Sequence, residues 1–552
     1  MVSRFDRRAL LAGGAAAAAG FAGASVLGTG WDGIAGAVTN GPGRNGVSTK
    51  TPKKGGSLIF GVTAEEQGFD PTTARFDEVG VMYARTVFDP LTIVLANGDW
   101  APYLAQSVTP NADYTAWTIT LRDGLVFHDG TPCNGAALVA NFEAQSKSFL
   151  TGQAINPTLQ SIAQTGPNAM TITFKSPWVP FPYYLAGGVG GQIGYVAAPS
   201  MLNNPNGTSH PVGTGPFVFK EWIPNDHFTA TANPNYWRKG LPYLSQITFK
   251  PIPDEQARSE ALKTGTINLM ITDTPQIITQ YRGNKSYSYV DDSTNVVGEP
   301  DMFFTMLNCS TAPFNNPNVR QAAAMAINRK QYAQVIDNGV LPVSNGVFAP
   351  GTPYYSPTKY PAYNPHQAAK LVSQAAKSKG GPITFSFNVT NGPAAIRSAQ
   401  YLQQAWQAVG FKVSTFITDQ NQTINNALAG KFQATGWRQF GAVDPDLNYI
   451  FWSPTTINPQ LSINMARNND QQIQQALLTG RSTTQKEERI QAYQQVNKRF
   501  GIDCPYLFLE QAIWAVVGIP TVQNFNNPTS PQGQQAKGLI GGYIWPTQIW
   551  IS

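Results

Sequence analysis

The chain has 552 residues, 42% of them hydrophobic and only 13% charged. Its length calls for two or three domains, and its apolar content sustains a large core rather than a disordered chain. The net charge of +6 comes from 38 Lys and Arg against 32 Asp and Glu with no basic run, which argues against a nucleic-acid or anionic-lipid surface.

Residues 1–37 read as an export signal. Arg4, Arg7 and Arg8 form a positive end, an Ala- and Gly-rich run follows to Gly30, and Ala35-Gly36-Ala37 offers a small-residue cleavage site. The pair Arg7-Arg8 before Ala9-Leu10-Leu11 is similar to a twin-arginine signal. An uncleaved anchor is the alternative. No Cys stands near the cleavage region, so a lipoprotein is not expected. Residues 38–55, rich in Gly, Asn, Thr and Lys, read as a flexible tether.

The fold is expected to begin with a strand over Gly56–Val62, then a helix around Glu78–Thr86. Trp117, Ile119 and Leu121 alternate with threonines and predict a half-buried strand. Arg122-Asp123-Gly124 is a turn, and Val126–Gly130 closes a hairpin-like unit. Asn134–Lys147 predicts a helix with Ala137, Val139, Ala140 and Phe142 on its apolar side. Strands follow at Thr171–Phe174, Val218–Trp222 and Leu244–Pro251, the second entered by the tight turn Gly213–Phe217. Asp254–Thr264 predicts a helix stopped by Gly265, and Asn318–Asn328 another. Residues 380–437 read as strand, helix, strand, helix, strand, which requires parallel strands covered by helices. Gln485–Phe500 is a late helix and Pro505–Leu509 a late strand. Asn468–Gln475 and Gln523–Gln535 read as polar surface.

Catalytic motifs are missing from this pattern. His128, His210, His227 and His366 have no partner at metal-ligand spacing, and His128 reads as a turn-stabilising residue. There is no nucleophile elbow and no phosphate loop. Gly187–Gly194 is glycine-rich but lacks a strand–helix frame, so it reads as a plain loop. Asp444-Pro445-Asp446 offers too few neighbouring oxygens for calcium and reads as a loop with a helix N-cap. Cys133, Cys309 and Cys504 match no metal or redox spacing; one disulfide or three buried thiols are both open. No cofactor and no metal is expected. An exported, aromatic-rich chain without a catalytic group points to binding.

Ordered motifs across residues 55–515 resemble the peptide/nickel-type (family 5) extracellular solute-binding proteins of ABC importers. They are Ala105-Gln106-Ser107 through Trp117-Thr118-Ile119-Thr120-Leu121-Arg122-Asp123-Gly124-Leu125-Val126-Phe127-His128-Asp129-Gly130-Thr131-Pro132, Pro211–Phe217, Asn233-Pro234-Asn235-Tyr236-Trp237, Pro317–Ala322, and Gly436-Trp437 followed by Asp444-Pro445-Asp446. The resemblance implies a two-lobed α/β fold of the type II periplasmic-binding-protein kind, with a hinge between lobes. Lobe I would comprise residues 56–295 and 510–552, and lobe II residues 296–509. The chain would cross out near Ser293–Met302 and back near Cys504–Ala512. Ligand held between the lobes would favour closure by its differential affinity for the closed state.

The same resemblance implies a monomeric exported binder, not an enzyme, that works on the periplasmic or cell-envelope side of the cytoplasmic membrane and hands a small solute to a membrane permease. Short peptides are the leading ligand; haem, a nickel complex, an oligosaccharide or a carboxylate compound are alternatives, and an enzyme or chaperone-like holder is a lower one. Ligand contacts are expected from Glu65, Glu66, Gln67 and Gly68 after the first strand, and from Trp437, Arg438, Gln439, Phe440 and Asp444 in the other lobe. The stretch from Trp437 to Val443 lacks the acid with which peptide binders of this family hold the ligand amine. Glu65 or Glu66 could supply it instead. Arg438 would favour an anionic group.

Overall fold

The computed structural model describes residues 51–552 apart from Gln67, Arg75, Gly190, Asn203, Pro205, residues 294–300 and Phe440. The expected export signal, the first part of the tether and most of the outgoing crossing fall outside the described residues.

The first lobe is built on a seven-stranded sheet. Its spatial order is Ser288–Asp291, Ala515–Gly518, Leu269–Thr272, Ser57–Val62, Gln246–Pro251, His227–Ala232 and Phe217–Ile223. Ser57–Val62 lies at its centre, parallel to both Gln246–Pro251 and Leu269–Thr272. It is central because Leu58, Phe60 and Val62 are all buried, and Phe60 stacks on Phe249 of the neighbouring strand at 5.6 Å. The late strand Ala515–Gly518 pairs antiparallel with both Leu269–Thr272 and Ser288–Asp291, so the end of the chain completes the lobe that its beginning founds.

An antiparallel four-stranded sheet joins this lobe, in the order Ala105–Pro110, Ala116–Leu121, Ala169–Phe174 and Leu159–Gly166. The alternation in Ala116–Leu121 holds: Trp117, Ile119 and Leu121 are buried while the intervening residues are half-buried. The helix Gly135–Lys147 is capped by Asn134, as its sequence suggests, but its inner face differs from expectation. Ala137, Leu138, Asn141, Phe142 and Gln145 are buried, whereas Val139 and Ala140 are only half-buried. The polar pair can turn inward because the Asn141 amide donates to Ala197 O and accepts from Ala197 N, at 2.8 and 2.9 Å.

The second lobe is built on a five-stranded sheet in the order Lys412–Thr418, Thr384–Thr390, Ala434–Gln439, Met302–Leu307 and Tyr506–Gln511. Thr384–Thr390 is parallel to both of its neighbours, as the strand–helix alternation of residues 380–437 requires. Met302–Leu307 runs antiparallel between Ala434–Gln439 and Tyr506–Gln511. Two sequence readings need correction here. The helix expected over Asn318–Asn328 ends at Met325, and a new one, capped by Asn328, starts at Arg329. The polar stretch Asn468–Gln475 is partly helical, because Asp470 caps the helix Gln471–Ser482. Gln474 of that helix is buried and bonded to Tyr449 and Ser453.

The turn Gly213–Phe217 serves packing. A side chain at Gly215 would meet the Val87 carbonyl carbon at 2.4 Å, so only glycine lets this turn close on the end of the first helix. His128 pins the same turn, its Nε2 lying 2.9 Å from Gly215 O, and burial lowers its pKa to about 4. All three cysteines are free thiols, with Cys133 and Cys504 buried and burial raising the pKa of each. Among the described residues no helix is long and apolar enough to cross a membrane.

Candidate functional site

Ligands of open α/β sheets sit beyond the carboxyl ends of the parallel strands. Here Val62 and Thr272 end two neighbouring parallel strands of the first lobe, followed by the Glu65–Gly68 loop and by Asp273. The helix Glu78–Val87 begins beside them, its first turn capped by Asp77, whose carboxylate accepts from Val79 N and Gly80 N. From the second lobe, the end of Ala434–Gln439 carries Arg438 to the same place.

Arg438 joins the two lobes there. Its Nη2 donates to Glu78 Oε1 at 2.9 Å and its Nη1 to Asp273 Oδ2 at 2.7 Å, both acceptors belonging to the first-lobe elements. Its Nε lies 3.5 Å from Asp301 Oδ2, at the start of Met302–Leu307. The guanidinium also lies 4.6 Å from the Trp514 ring centre, just past the strand that returns to the first lobe. The Trp514 indole N–H donates to Asp301 Oδ2 at 2.9 Å, and its backbone N–H to Asp292 Oδ1 at 2.8 Å. Gly441 N–H donates to Asp301 Oδ1.

The electrostatics of this cluster are acid-rich. Burial raises the pKa of Glu78 to about 8 despite the opposing pull of Arg438, with Asp77 and Asp301 adding to the rise. Burial also raises Asp301, against Arg438 and the Trp514 bond, and carries Asp292 to about 8. Burial alone would lower Arg438, but Glu78, Asp301 and Asp273 outweigh it and hold the guanidinium charged. One cation thus answers three carboxylates.

The sequence-derived candidates fare unevenly. Arg438 was expected to face a ligand anion, and the geometry corrects that role, because all three of its nitrogens point at the protein's own carboxylates. Asp444 was expected to touch ligand. It is instead buried, bonded to Arg489 at 2.6 and 2.8 Å, and caps the turn Pro445–Asn448. Glu65 accepts from the Trp222 indole at 2.5 Å and from Asn225 N at 3.0 Å, so it is turned toward its own lobe. Glu66 is buried against Gly80 in the first turn of the helix. Gly68 abuts Thr208, where any side chain would collide. Trp437 is half-buried opposite Phe304 on the adjacent strand, and Gln439 ends its strand. Gln67 and Phe440 lie outside the described residues.

Sequence reasoning missed Glu78, Asp273, Asp301 and Trp514. The only local signal was that Asp273 directly follows a strand. A second inter-lobe contact was also missed. Asp446 is fully buried, accepts from the Trp178 indole at 2.8 Å and from Arg481 Nε at 3.0 Å, and its backbone oxygen accepts from the Tyr184 hydroxyl. Trp178 and Tyr184 come from the segment that follows the four-stranded sheet, so this carboxylate fastens the first half of the chain to the second.

Two sheet-based lobes, crossing strands between them and a polar cluster fed from both sides define a type II periplasmic-binding-protein architecture. Residues 99–459 match the bacterial extracellular solute-binding proteins, family 5, and the chain belongs to that family. A glutathione-binding protein of Escherichia coli is 30% identical over 373 residues, covering 64% of this chain and 70% of its own. Its counterpart in Salmonella typhimurium is 27% identical over 423 residues, covering 73% and 79%. Among solved structures, the binding protein DppA of Helicobacter pylori, in complex with the peptide STSA, superposes with a TM-score of 0.78 at 21% identity, covering 90% of this chain and 98% of its own. The oligopeptide-binding protein AppA of Bacillus subtilis, in complex with a nonapeptide, gives 0.77 at 19%, covering 91% and 100%. The family is one of substrate-binding components of ABC transporters.

Proposed function

We propose that this protein captures short peptides between its lobes and delivers them to an ABC permease, acting as an exported, monomeric binder outside the cytoplasmic membrane. The lobes are taken as residues 56–295 with 510–552, and 296–509; a seven-stranded and a five-stranded sheet drawn from these segments support that division.

The observation that carries the peptide reading is the cluster at Arg438. Three carboxyl groups from both lobes surround one guanidinium; burial holds Glu78 largely protonated near neutral pH, and a second cation arriving where the lobes meet would favour its ionised form. A ligand ammonium is the natural complement. The acid missing after Trp437 is thereby replaced by Glu78, Asp273 and Asp301. The glutathione- and peptide-binding relatives support the same ligand class.

Mass spectrometry of small molecules released by denaturing the purified protein tests the reading, followed by titration with alanine tripeptide, its N-acetylated form and glutathione. Released short peptides, and a loss of about ten-fold or more in affinity on acetylation, are expected for a charged hydrogen bond. A single non-peptide mass with no peptide binding would overturn it.

A further inference from the structure

A cleft of about 490 Å³ opens on the first lobe, and Arg122, Leu125, Trp237, Arg238, Lys239 and Leu241 line it. Arg122 directly follows the strand Ala116–Leu121, and Trp237–Leu241 come after the strand His227–Ala232. Two guanidinium groups and an ammonium thus meet in one hollow built from first-lobe segments.

Tyr103 holds both arginines in place. Its backbone oxygen accepts from Arg122 Nε at 2.9 Å, and its hydroxyl accepts from Arg238 Nη1 at 3.1 Å. Arg238 Nη2 also donates to Thr529 O at 3.1 Å. The Arg122 guanidinium lies 5.1 Å from the centre of the Trp237 ring. Both arginines remain half-buried, and Lys239 is exposed.

Arginines that rest on carbonyls occur elsewhere in the chain, at Arg258, Arg320 and Arg467. What sets this place apart is that three cations share an open cleft and none of them pairs with a carboxylate among the described residues. The acids close by are occupied. Asp123 accepts from the Asn168 amide at 2.9 Å. Asp89 is buried and accepts from Tyr236, Trp237 and Thr214, and burial raises its pKa to about 7. Burial and the neighbouring Arg238 charge both lower the pKa of Arg122, so the like charges are not neutralised where they stand.

Size and lining define the occupant. Pockets for small molecules run roughly 300–1,000 Å³, which suits a compound larger than a bare ion. Guanidinium forks pair with carboxylate and phosphate oxygens, while Leu125, Trp237 and Leu241 supply apolar wall. An anionic membrane surface would instead call for a cluster of roughly 4–8 Lys and Arg.

We propose that this cleft binds a small soluble organic dianion, its phosphate or paired carboxylates held by Arg122, Arg238 and Lys239 and its carbon skeleton laid against Trp237. The site lies beyond the peptide reading and does not depend on it.

Calorimetric titration at low ionic strength with phenyl phosphate and with phthalate tests this and separates the two oxyanions. At least one is expected to bind, and to bind tighter than inorganic phosphate, which lacks the ring; benzyl alcohol, which lacks the charge, should not bind. Arg122→Gln is expected to weaken the better ligand about ten-fold or more, as for a lost charged hydrogen bond. Lys239→Ala, at an exposed position, should weaken it about three-fold. Lys263→Ala removes the same charge from the helix Glu255–Lys263, outside the cleft, and should leave binding unchanged. No binding of either dianion, or binding undiminished in both Arg122→Gln and Lys239→Ala, overturns the assignment. Should Arg122→Gln fail to fold, Lys239→Ala against Lys263→Ala decides. Sedimentation with vesicles of phosphatidylcholine and phosphatidic acid is the remaining arm: attachment to them without binding of either soluble dianion would make a lipid phosphate the occupant and overturn the soluble one.

Discussion

Arg438 and Glu78 are 360 residues apart in the chain, and their Nη2 and Oε1 atoms are 2.9 Å apart. One belongs to the five-stranded sheet and the other begins the helix beside the seven-stranded sheet, so this contact ties the lobes at the base of their junction. Removing the cation leaves Glu78 and Asp301 facing each other with no charge between them. Arg438→Ala is expected to cost about 3–5 kcal/mol of stability near neutral pH, as for a broken buried pair. The loss should shrink at pH 5, where Asp301, its pKa also raised by burial, takes up a proton as Glu78 has largely done by neutral pH. Urea denaturation at both pH values checks this, and a loss under 1 kcal/mol at pH 7 would show that the pair does not tie the lobes.

Several buried acids make stability depend on pH in one direction. Burial raises Glu78 and Asp292 to about 8, Asp89 to about 7 and Glu510 to about 9. A carboxyl whose folded pKa is raised binds its proton more tightly in the folded state. Its contribution is complete below the unfolded pKa near 4 and is lost as pH rises through the folded value. His128, lowered to about 4, opposes this only below its ordinary value of 6.5. Between pH 6.5 and 8.5 His128 no longer opposes the acids, so the melting temperature should fall across that interval. Asp292→Asn, which keeps an acceptor for Trp514 N, should flatten the fall; a melting temperature that is constant or rises over the interval would refute the account.

Asp446 is the buried acceptor for Trp178, Arg481 and, through its backbone, Tyr184. Asp446→Ala strands the Arg481 charge and is expected to cost about 3–5 kcal/mol. Asp446→Asn keeps an acceptor for the indole and should cost less. Equilibrium denaturation followed by tryptophan fluorescence separates the two, and equal losses would mean that charge at this position is immaterial.

Gly215→Ala places a methyl group 2.4 Å from the Val87 carbonyl carbon. The turn must move off the helix end, loosening the His128 bond to Gly215 O. About 1–3 kcal/mol of destabilisation is expected. That bond holds the His128 pKa up against burial, so a further fall from about 4, read by NMR titration, should accompany its loosening; an unchanged value would mean the turn absorbs the methyl in place.

Much of the local structure follows from residues close together in the chain. Asn134 and Asp254 cap the helices they precede, and the strand–helix alternation of residues 380–437 yields parallel pairing. The motifs from Trp117 to Asp446 suffice to indicate the family that residues 99–459 match. Caps, turns and apolar periodicity act over a few residues, so sequence alone determines them. The partners of charged and amide side chains are another matter. Asn141 and Gln145 look like surface residues until Ala197, Pro71 and Gln192 supply their hydrogen bonds from distant loops. Arg438 looks free to meet a ligand until Glu78, Asp273 and Asp301 arrive from three separate elements. Arg85 has nothing unusual beside it in the chain, and its cage of Gly187, Tyr543 and Trp545 is assembled only when the C-terminal segment returns to the first lobe. A charge is stabilised by whatever the topology brings within a few ångströms of it, and sequence spacing carries no record of that distance.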